Sequence, residues 1–487
     1  MAVFRDKWGW VVILASSFVF GGTIAPMNAF GRLFVAMQND LNITTVQSGW
    51  AGSVAFSSNM LASPIAVVVE GFIGYRLATI AGSTVSAVAV LVASFLSTYI
   101  GVVIVYGVIY GIFSNMAFHA PMCVLFLYFK NPTDRSRASG CALTGVAIAT
   151  ILTTFAYEKI VPVFGWAGTL RISSAFIFLY SVPASFLIYQ RDVERISNQI
   201  KSKDNKKEDE IHQDHLNRDE MKASSLSGKE KELFDENRSG GVENDTPVRT
   251  TWIQVITNWR SWTVLLAMFL PAMAWSPFWM NCVSYFESIN ESADNILVYV
   301  TVTAMFDLVG RICFIVLRNG FALKDCYLVI ALNTIMTPVA LLFVLWPTKP
   351  ILLICCACIG IGRGWFLIMA FPATTHLLSE HTTDHTVTVG MIAVGLGFSL
   401  GTLPAGAIFE TSGSYLYAFM LNAVLFLLGT TLLVILQIHK RCKSRIIRKV
   451  LIHVNVLGGE RNKQLVLATT TAQENMALGT WPVNFIT

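Results

Sequence analysis

Thr301-Val-Thr-Ala-Met-Phe-Asp307-Leu-Val-Gly-Arg311-Ile-Cys-Phe-Ile-Val-Leu317 carries an acid and a base four residues apart, in a run otherwise apolar enough to cross a bilayer. That spacing predicts a helix with both groups on one face. An ionisable side chain near the bilayer centre costs about 2.5–3.5 kcal/mol on insertion scales, so such residues turn toward a bundle interior and mark function.

The surrounding chain fits a membrane setting. Of 487 residues, 54% are hydrophobic and 13% charged, with 32 Phe, and no ordinary soluble surface accommodates that composition. A polytopic, all-α membrane protein is predicted. The net charge of +5 comes from Lys and Arg in short loops and tails, with no aromatic-interleaved basic face, which excludes nucleic acid as a partner. The nine cysteines lie mostly in apolar runs, including Cys355, Cys356 and Cys358, without a paired framework or metal-ligand spacing; they are read as packing residues. The first apolar run continues past the length of a signal-peptide core without a cleavage site, so it is expected to remain as a helix.

At about 20 apolar residues per span, spans are predicted near 9–31, 48–69, 78–98, 101–128, 138–160 and 168–189. A second set falls near 261–285, 294–317, 326–346, 350–375, 386–409 and 415–438. Between them, 190–255 is rich in Lys, Glu, Asp and Ser and reads as a disordered cytoplasmic linker. The domains are thus 1–189, the 190–255 linker, 256–439, and a basic cytoplasmic tail over 440–487. Twelve transmembrane helices in two six-helix halves outline a transporter with its site at the midplane between them.

Arg5, Lys7, Arg76, Lys130, Arg135, Arg137, Arg318 and Lys324 fall in loops on one side, together with the basic tail, which predicts cytosolic N- and C-termini. Asn42-Ile-Thr44 and Asn290-Glu-Ser292 are then external or luminal glycosylation sequons, and Asn237-Arg-Ser239 faces the cytosol and stays bare.

Several stretches resemble the monocarboxylate transporter family of the major facilitator superfamily. They are Asp6-Lys-Trp8-Gly9-Trp10, Tyr128-Phe129-Lys130 through Arg137-Ala-Ser-Gly140 and on to Gly145, and Phe164-Gly165-Trp166. Asp307-x-x-x-Arg311 and Leu403-Pro404-Ala-Gly406 through Ser412-Gly-Ser-Tyr415 complete the set. The resemblance spans nearly all of the hydrophobic chain. It implies the twelve-helix major facilitator fold, a plasma-membrane location, a monocarboxylate-like anion as substrate, and a single-pass glycoprotein escort. One departure matters: members that couple to protons carry a lysine after a first-helix proline, whereas here Pro26 is followed by Met27 and Asn28. The superfamily loop between the second and third helices is likewise reduced to Glu70-Gly-Phe-Ile-Gly74-Tyr-Arg76.

Asp307 and Arg311 are either a structural ion pair or a substrate and proton site. In the second reading the forked Arg311 binds a carboxylate two-pronged, and Asp307 is its counter-ion, able to take a proton when displaced. Arg363, in Gly360-Ile-Gly362-Arg363-Gly364-Trp365, has no acidic neighbour at helical spacing and needs a partner from elsewhere; it is a candidate second anion ligand. Asn28 stands near the missing lysine as a polar substrate candidate. His119 is either a hydrogen bond between helices or a proton relay. Two arginines against one aspartate leave the interior one positive charge in excess, which an anion neutralises. His376, His381 and His385 match no metal spacing and read as loop residues.

The sequence therefore predicts a secondary transporter of a small organic anion working by alternating access, facilitated or weakly proton-linked. It contains no enzyme-like constellation within the spans and implies no cofactor or metal. Two alternatives remain open. One is a carrier of aromatic amino acids or another neutral solute, with Trp275, Phe278, Trp279 and Trp365 lining an aromatic pocket. The other is a non-transporting membrane sensor or scaffold.

Overall fold

The computed structural model describes residues 7–30, isolated positions between 33 and 40, and the stretches 54–129, 131–188, 252–318, 320, 324–379 and 381–456. Asn42, Asn237 and the stretches 189–251 and 457–487 lie outside the described residues. Among the described residues every regular element is helical.

Among the described residues, ten helical runs are long and apolar enough to cross a membrane. Two of them hold two segments each. Ser63–Ala93 breaks at Gly74 (φ 79°, ψ 161°) and Pro132–Ser185 breaks at Gly165 (φ 66°, ψ −179°). Both backbones sit in the left-handed region that glycine enters without steric cost. Tyr157 and Ser173 hydrogen-bond at 2.6 Å across the second break, which shows that the chain doubles back there.

The first half comprises α1 (Lys7–Asn28), α2 (54–73), α3 (75–93), α4 (Tyr99–Tyr128), α5 (132–164) and α6 (166–185). The second comprises α7 (Trp259–Met280), α8 (Ala293–Leu317), α9 (Asp325–Leu345), α10 (Lys349–Leu377), α11 (Thr383–Ser412) and α12 (Leu416–Val456). Each predicted span has its helix. The last differs most in length: α12 runs to Val456, past the predicted end at 438, because its Lys, Arg, Ile and Leu are serviceable helix formers. A short helix, Trp252–Thr257, also precedes α7.

Local chemistry sets the ends. The side chain of Asn131 accepts from the Thr133 amide with Pro132 at the first helical position, and Asn258 caps α7 through the Arg260 amide at 3.0 Å. Gly413, at φ 66°, closes α11 in the left-handed conformation that glycine favours.

Packing within each half relies on close backbone approach, as expected where lipid removes the hydrophobic drive between helices. Gly397 and Gly401 face α7: a Cβ on Gly397 would lie 2.7 Å from the Phe269 carbonyl oxygen, and one on Gly401 2.6 Å from Ser276 Cβ. Gly111 does the same on α4 against Ala55 and Ser58 of α2. Aromatic side chains fill the remainder, with Tyr106, Tyr110 and Phe30 in the first half and Phe278, Phe343, Tyr285 and Phe419 in the second. Leucine, isoleucine and phenylalanine side chains such as Phe18, Leu152 and Ile354 are exposed on outer faces, where a bilayer would meet them.

The halves meet through α5 with α8 and α10, and through α2 and α4 with α11. Ser57 and Ser399 hydrogen-bond at 2.7 Å, Tyr75 donates to the Asp384 carboxylate at 2.7 Å, and Arg137 donates to the Ile315 carbonyl at 3.1 Å.

Of the two sequons predicted to be external, the one at Asn290 falls among the described residues. Asn290 is exposed at the turn before α8, in a left-handed conformation (φ 59°) that asparagine tolerates. Glycosidase treatment is expected to shift the electrophoretic mobility of the wild-type chain, and the Asn42→Gln, Asn290→Gln double variant is expected to be insensitive. A shift in a variant retaining only Asn237 reverses the predicted orientation.

Candidate functional site

The acid-base pair of α8 is turned inward by the helix period. Tyr299, Thr303, Asp307, Gly310, Arg311 and Phe314 form its buried stripe, while Met305, Phe306, Val309, Ile312 and Val316 are exposed on the other face. That arrangement spares both charges from lipid. Asp307 Oδ2 accepts from Arg311 Nε at 3.2 Å and also from Arg363 Nη2 at 3.1 Å. Arg363, which had no acidic neighbour on its own helix, thus finds its partner on α8. One carboxylate serves two guanidinium groups, and the cluster carries one net positive charge.

Three further features fix the geometry. Arg311 Nη1 donates to the Leu143 carbonyl on α5, at 3.0 Å, which carries the site across to the first half. The Arg363 guanidinium lies over the Trp279 ring, 3.7 Å from its centroid, a cation–π contact. Glycines let α8 and α10 approach: a Cβ on Gly364 would sit 2.7 Å from the Asp307 carbonyl oxygen and 3.1 Å from its Oδ1. The Arg363 side chain is 14% exposed against 4% for Arg311 and Asp307. Asp307 Oδ1 and Arg363 Nε are buried without a hydrogen bond, which leaves spare polar capacity on both sides of the pair.

The sequence profile of the Major Facilitator Superfamily matches residues 10–402. The chain belongs to the major facilitator superfamily. The protein is a multi-pass membrane protein of a transport family and not an enzyme. Its relatives include Monocarboxylate transporter 12 of Mus musculus, 22% identical over 90% of this chain and 87% of that protein. Monocarboxylate transporter 10 of Danio rerio is 27% identical over 177 residues, which span 35% of each protein. Solved structures share the fold. The fucose transporter FucP in its outward conformation superposes with a TM-score of 0.58 at 14% identity, over 88% of this chain and 99% of that one. The human organic anion transporter MFSD10 gives 0.57 at 13%, over 88% and 100%.

The other predicted site residues are dispersed. Asn28, exposed at the end of α1, donates to Thr150 Oγ1 on α5 at 3.2 Å and makes no hydrogen bond to the three charged residues. His119 belongs to a second buried cluster with Glu70 and Thr388. The proposed aromatic pocket is corrected in part. Trp275 packs on Phe366 and Phe426, and Phe278 on Phe343 and Phe419, because both side chains point into the second half; only Trp279 and Trp365 flank the charged site. His376, His381 and His385 reach different partners, namely Cys326, Asn258 and Thr382, and share no common point.

Three buried charged residues, Glu70, Arg318 and Asp325, escaped the sequence reading. Glu70 lies inside α2 rather than in a loop, because the turn comes at Gly74. Arg318 and Asp325 pair at 3.0 Å, both buried, where a loop arginine was expected. Neither pair sits at helical spacing on one element, so no local signal announced it.

Gly364→Val places a branched side chain against Asp307 and Arg311. Overpacking of this kind costs about 1–3 kcal/mol. The purified protein is expected to unfold several degrees lower in a thermal-shift measurement, and an unchanged midpoint removes the close α8–α10 contact from the account.

Proposed function

We propose that the protein is a secondary transporter that moves a small, monocarboxylate-like organic anion across the membrane by alternating access, facilitated or weakly proton-linked. The observation that carries this reading is the sharing of one buried carboxylate by two guanidinium groups. A positive charge in excess inside an apolar bundle is costly, and a bound anion neutralises it. The names of the relatives, monocarboxylate transporters, agree in substrate class.

The substrate carboxylate enters beside Arg363, the more exposed arginine, and replaces Asp307 as its partner. Arg311 then offers its planar fork to the same carboxylate. Asp307, displaced into a dry setting, becomes a place for a proton, and His119 is the second candidate for proton binding. Asn28 supplies a neutral polar contact from the first half in place of a cation. Alternating access requires that the two facing states bind the anion with different strength. Arg311, hydrogen-bonded across the halves to Leu143, is positioned to create that difference.

Trp279 over Arg363 favours a second reading, an aromatic amino acid whose carboxylate pairs with the arginine beside an indole. Competition separates the two: short carboxylates displace labelled substrate in the first case and aromatic amino acids in the second. The setting belongs to the proposal as well, namely a plasma-membrane protein with cytosolic termini, carrying glycans at Asn42 and Asn290 and escorted by a single-pass glycoprotein.

Arg311→Gln keeps polarity but is shorter and removes the charge and the fork. Uptake of labelled short-chain carboxylates is expected to fall by more than about tenfold at equal surface expression, since the remaining Arg363–Asp307 pair has no excess positive charge for an anion to neutralise and a charge-assisted hydrogen bond contributes about 1.5–3 kcal/mol. Undiminished uptake removes this arginine from the mechanism.

A further inference from the structure

The second buried cluster plays no part in holding the anion. His119 on α4 places Nδ1 2.9 Å from both carboxyl oxygens of Glu70 on α2, and Nε2 3.0 Å from Thr388 Oγ1 on α11. All three residues are buried, His119 and Thr388 completely. Since α2 and α4 belong to the first half and α11 to the second, this imidazole bridges the halves.

Proton counting fixes the state of the pair. A hydroxyl has one proton to give, and Thr388 Oγ1 donates it to the Asp384 carbonyl at 2.8 Å, because a carbonyl only accepts. Toward His119 the threonine oxygen is therefore an acceptor, and Nε2 carries a hydrogen. Nδ1 then faces a carboxyl group at 2.9 Å. An imidazole lone pair and a carboxylate cannot share that contact without a proton on one of them. Neutral imidazole with protonated Glu70, and imidazolium with ionised Glu70, both satisfy the geometry with no net charge; neutral imidazole with ionised Glu70 meets it only as the Nδ1–H tautomer, with the Thr388 hydroxyl turned from the Asp384 carbonyl to Nε2, and leaves a net negative charge buried.

We infer that Glu70 and His119 together form a proton-binding site whose occupancy holds the two halves closed at this end of the bundle. The ligand is a single proton. Its loss leaves one uncompensated negative charge on the buried pair and draws the Thr388 hydroxyl away from the Asp384 carbonyl, and parting of the halves relieves both by letting water reach the carboxylate. The groups facing the pair are Cys123, one turn along α4 with Sγ 3.7 Å from Nδ1, Tyr75 on α3, and Asp384 and His385 on α11. Asp384 is engaged by the Tyr75 hydroxyl at 2.7 and 2.9 Å, so its carboxylate already has a donor without drawing on His119. The site differs from Asp307 in place and partners, and it supplies a proton locus that needs no first-helix lysine.

The linkage has a definite sign. The closed arrangement binds one proton more than the parted one, so acidification favours closure and alkalinity favours opening, by up to about tenfold per pH unit for one proton. The inference rests on the alternating-access reading but on no particular substrate, and its test uses none.

Spin labels at Pro132→Cys and Gly320→Cys, exposed positions on the two halves beside the Arg137–Ile315 contact, report their separation in full-length protein reconstituted in lipid nanodiscs, in a background without reactive cysteines. In the wild type, the short-distance population is expected to grow as pH falls. Glu70→Gln supplies an amide hydrogen to Nδ1 that does not titrate, so the short distance should dominate at every pH. Thr388→Val keeps the pair but removes its acceptor across the interface, and should flatten the response with the long distance favoured. A wild-type distribution indifferent to pH overturns the inference, as does a Glu70→Gln curve that follows the wild type. So does a shift driven by Zn2+ or a chelator at fixed pH without any pH response, which would make Glu70, His119 and Cys123 a metal site. Failure of the anion reading shows instead as absent uptake with this pH response intact.

Discussion

A carboxylate shared by two guanidinium groups is the constraint around which the second half is arranged. Removing three charges from water is costly, and their mutual attraction offsets that cost only where each is held close and hydrogen-bonded. The sequence around the cluster provides for this. The period of α8 turns both of its charges inward, glycines on α10 bring the third within 3.1 Å, and Trp279 covers the guanidinium face that has no oxygen partner. The cluster is balanced in geometry but not in charge. A bundle that is stable while holding an extra cation is one in which a passing anion finds a gain that water does not offer.

Glycines make close contacts inside each half and also between the halves, where Gly395 meets the Met60 side chain and Gly140 those of Ile315 and Ile368; the contacts inside reach backbone, whereas those between meet mainly side chains. Inside, helices touch backbone to backbone through Gly111, Gly364, Gly397 and Gly401, contacts too close to slide without opening a void. Between the halves, the polar links are side-chain hydrogen bonds: Ser57 to Ser399, Tyr75 to Asp384, His119 to Thr388, and two arginines to the carbonyls of Leu143 and Ile315. A hydrogen bond of this kind contributes about 0.5–1.5 kcal/mol net, so a handful can be exchanged at modest cost, whereas repacking a glycine seam cannot. Rigid halves joined by exchangeable links are what rocking of one half against the other requires.

What the sequence disclosed follows the range of each signal. Spans were legible because twenty apolar residues in a row have one use, and the turns at Gly165 and Gly413 lay where quoted motifs put them. Asp307 and Arg311 were legible because both lie on one helix at a spacing that declares a shared face. Arg363 was legible as an anomaly but not as a partner, since 56 residues separate it from Asp307. Glu70 was hidden for the same reason and for another: it closes a valine run and resembles the start of a loop, and only the turn at Gly74 places it inside the helix. The aromatic residues misled because a tryptophan in a span reads alike whether it packs, as Trp275 does, or meets a charge, as Trp279 does.

The two buried clusters share an architectural logic. Each pairs groups inside one half and extends a single link to the other: Arg311 to the Leu143 carbonyl, His119 to the Thr388 hydroxyl. A ligand that changes the partners of Arg311 therefore changes a bond between the halves, and a proton on the Glu70–His119 pair does likewise on a different helix pair. Neither ligand needs a path of touching side chains to affect the other, because both act on one equilibrium between closed and parted halves. In the mechanism proposed above, coupling of anion to proton arises from the shared equilibrium itself. Its strength is set by how differently each ligand binds the two states, and a chain lacking the first-helix lysine can still possess it.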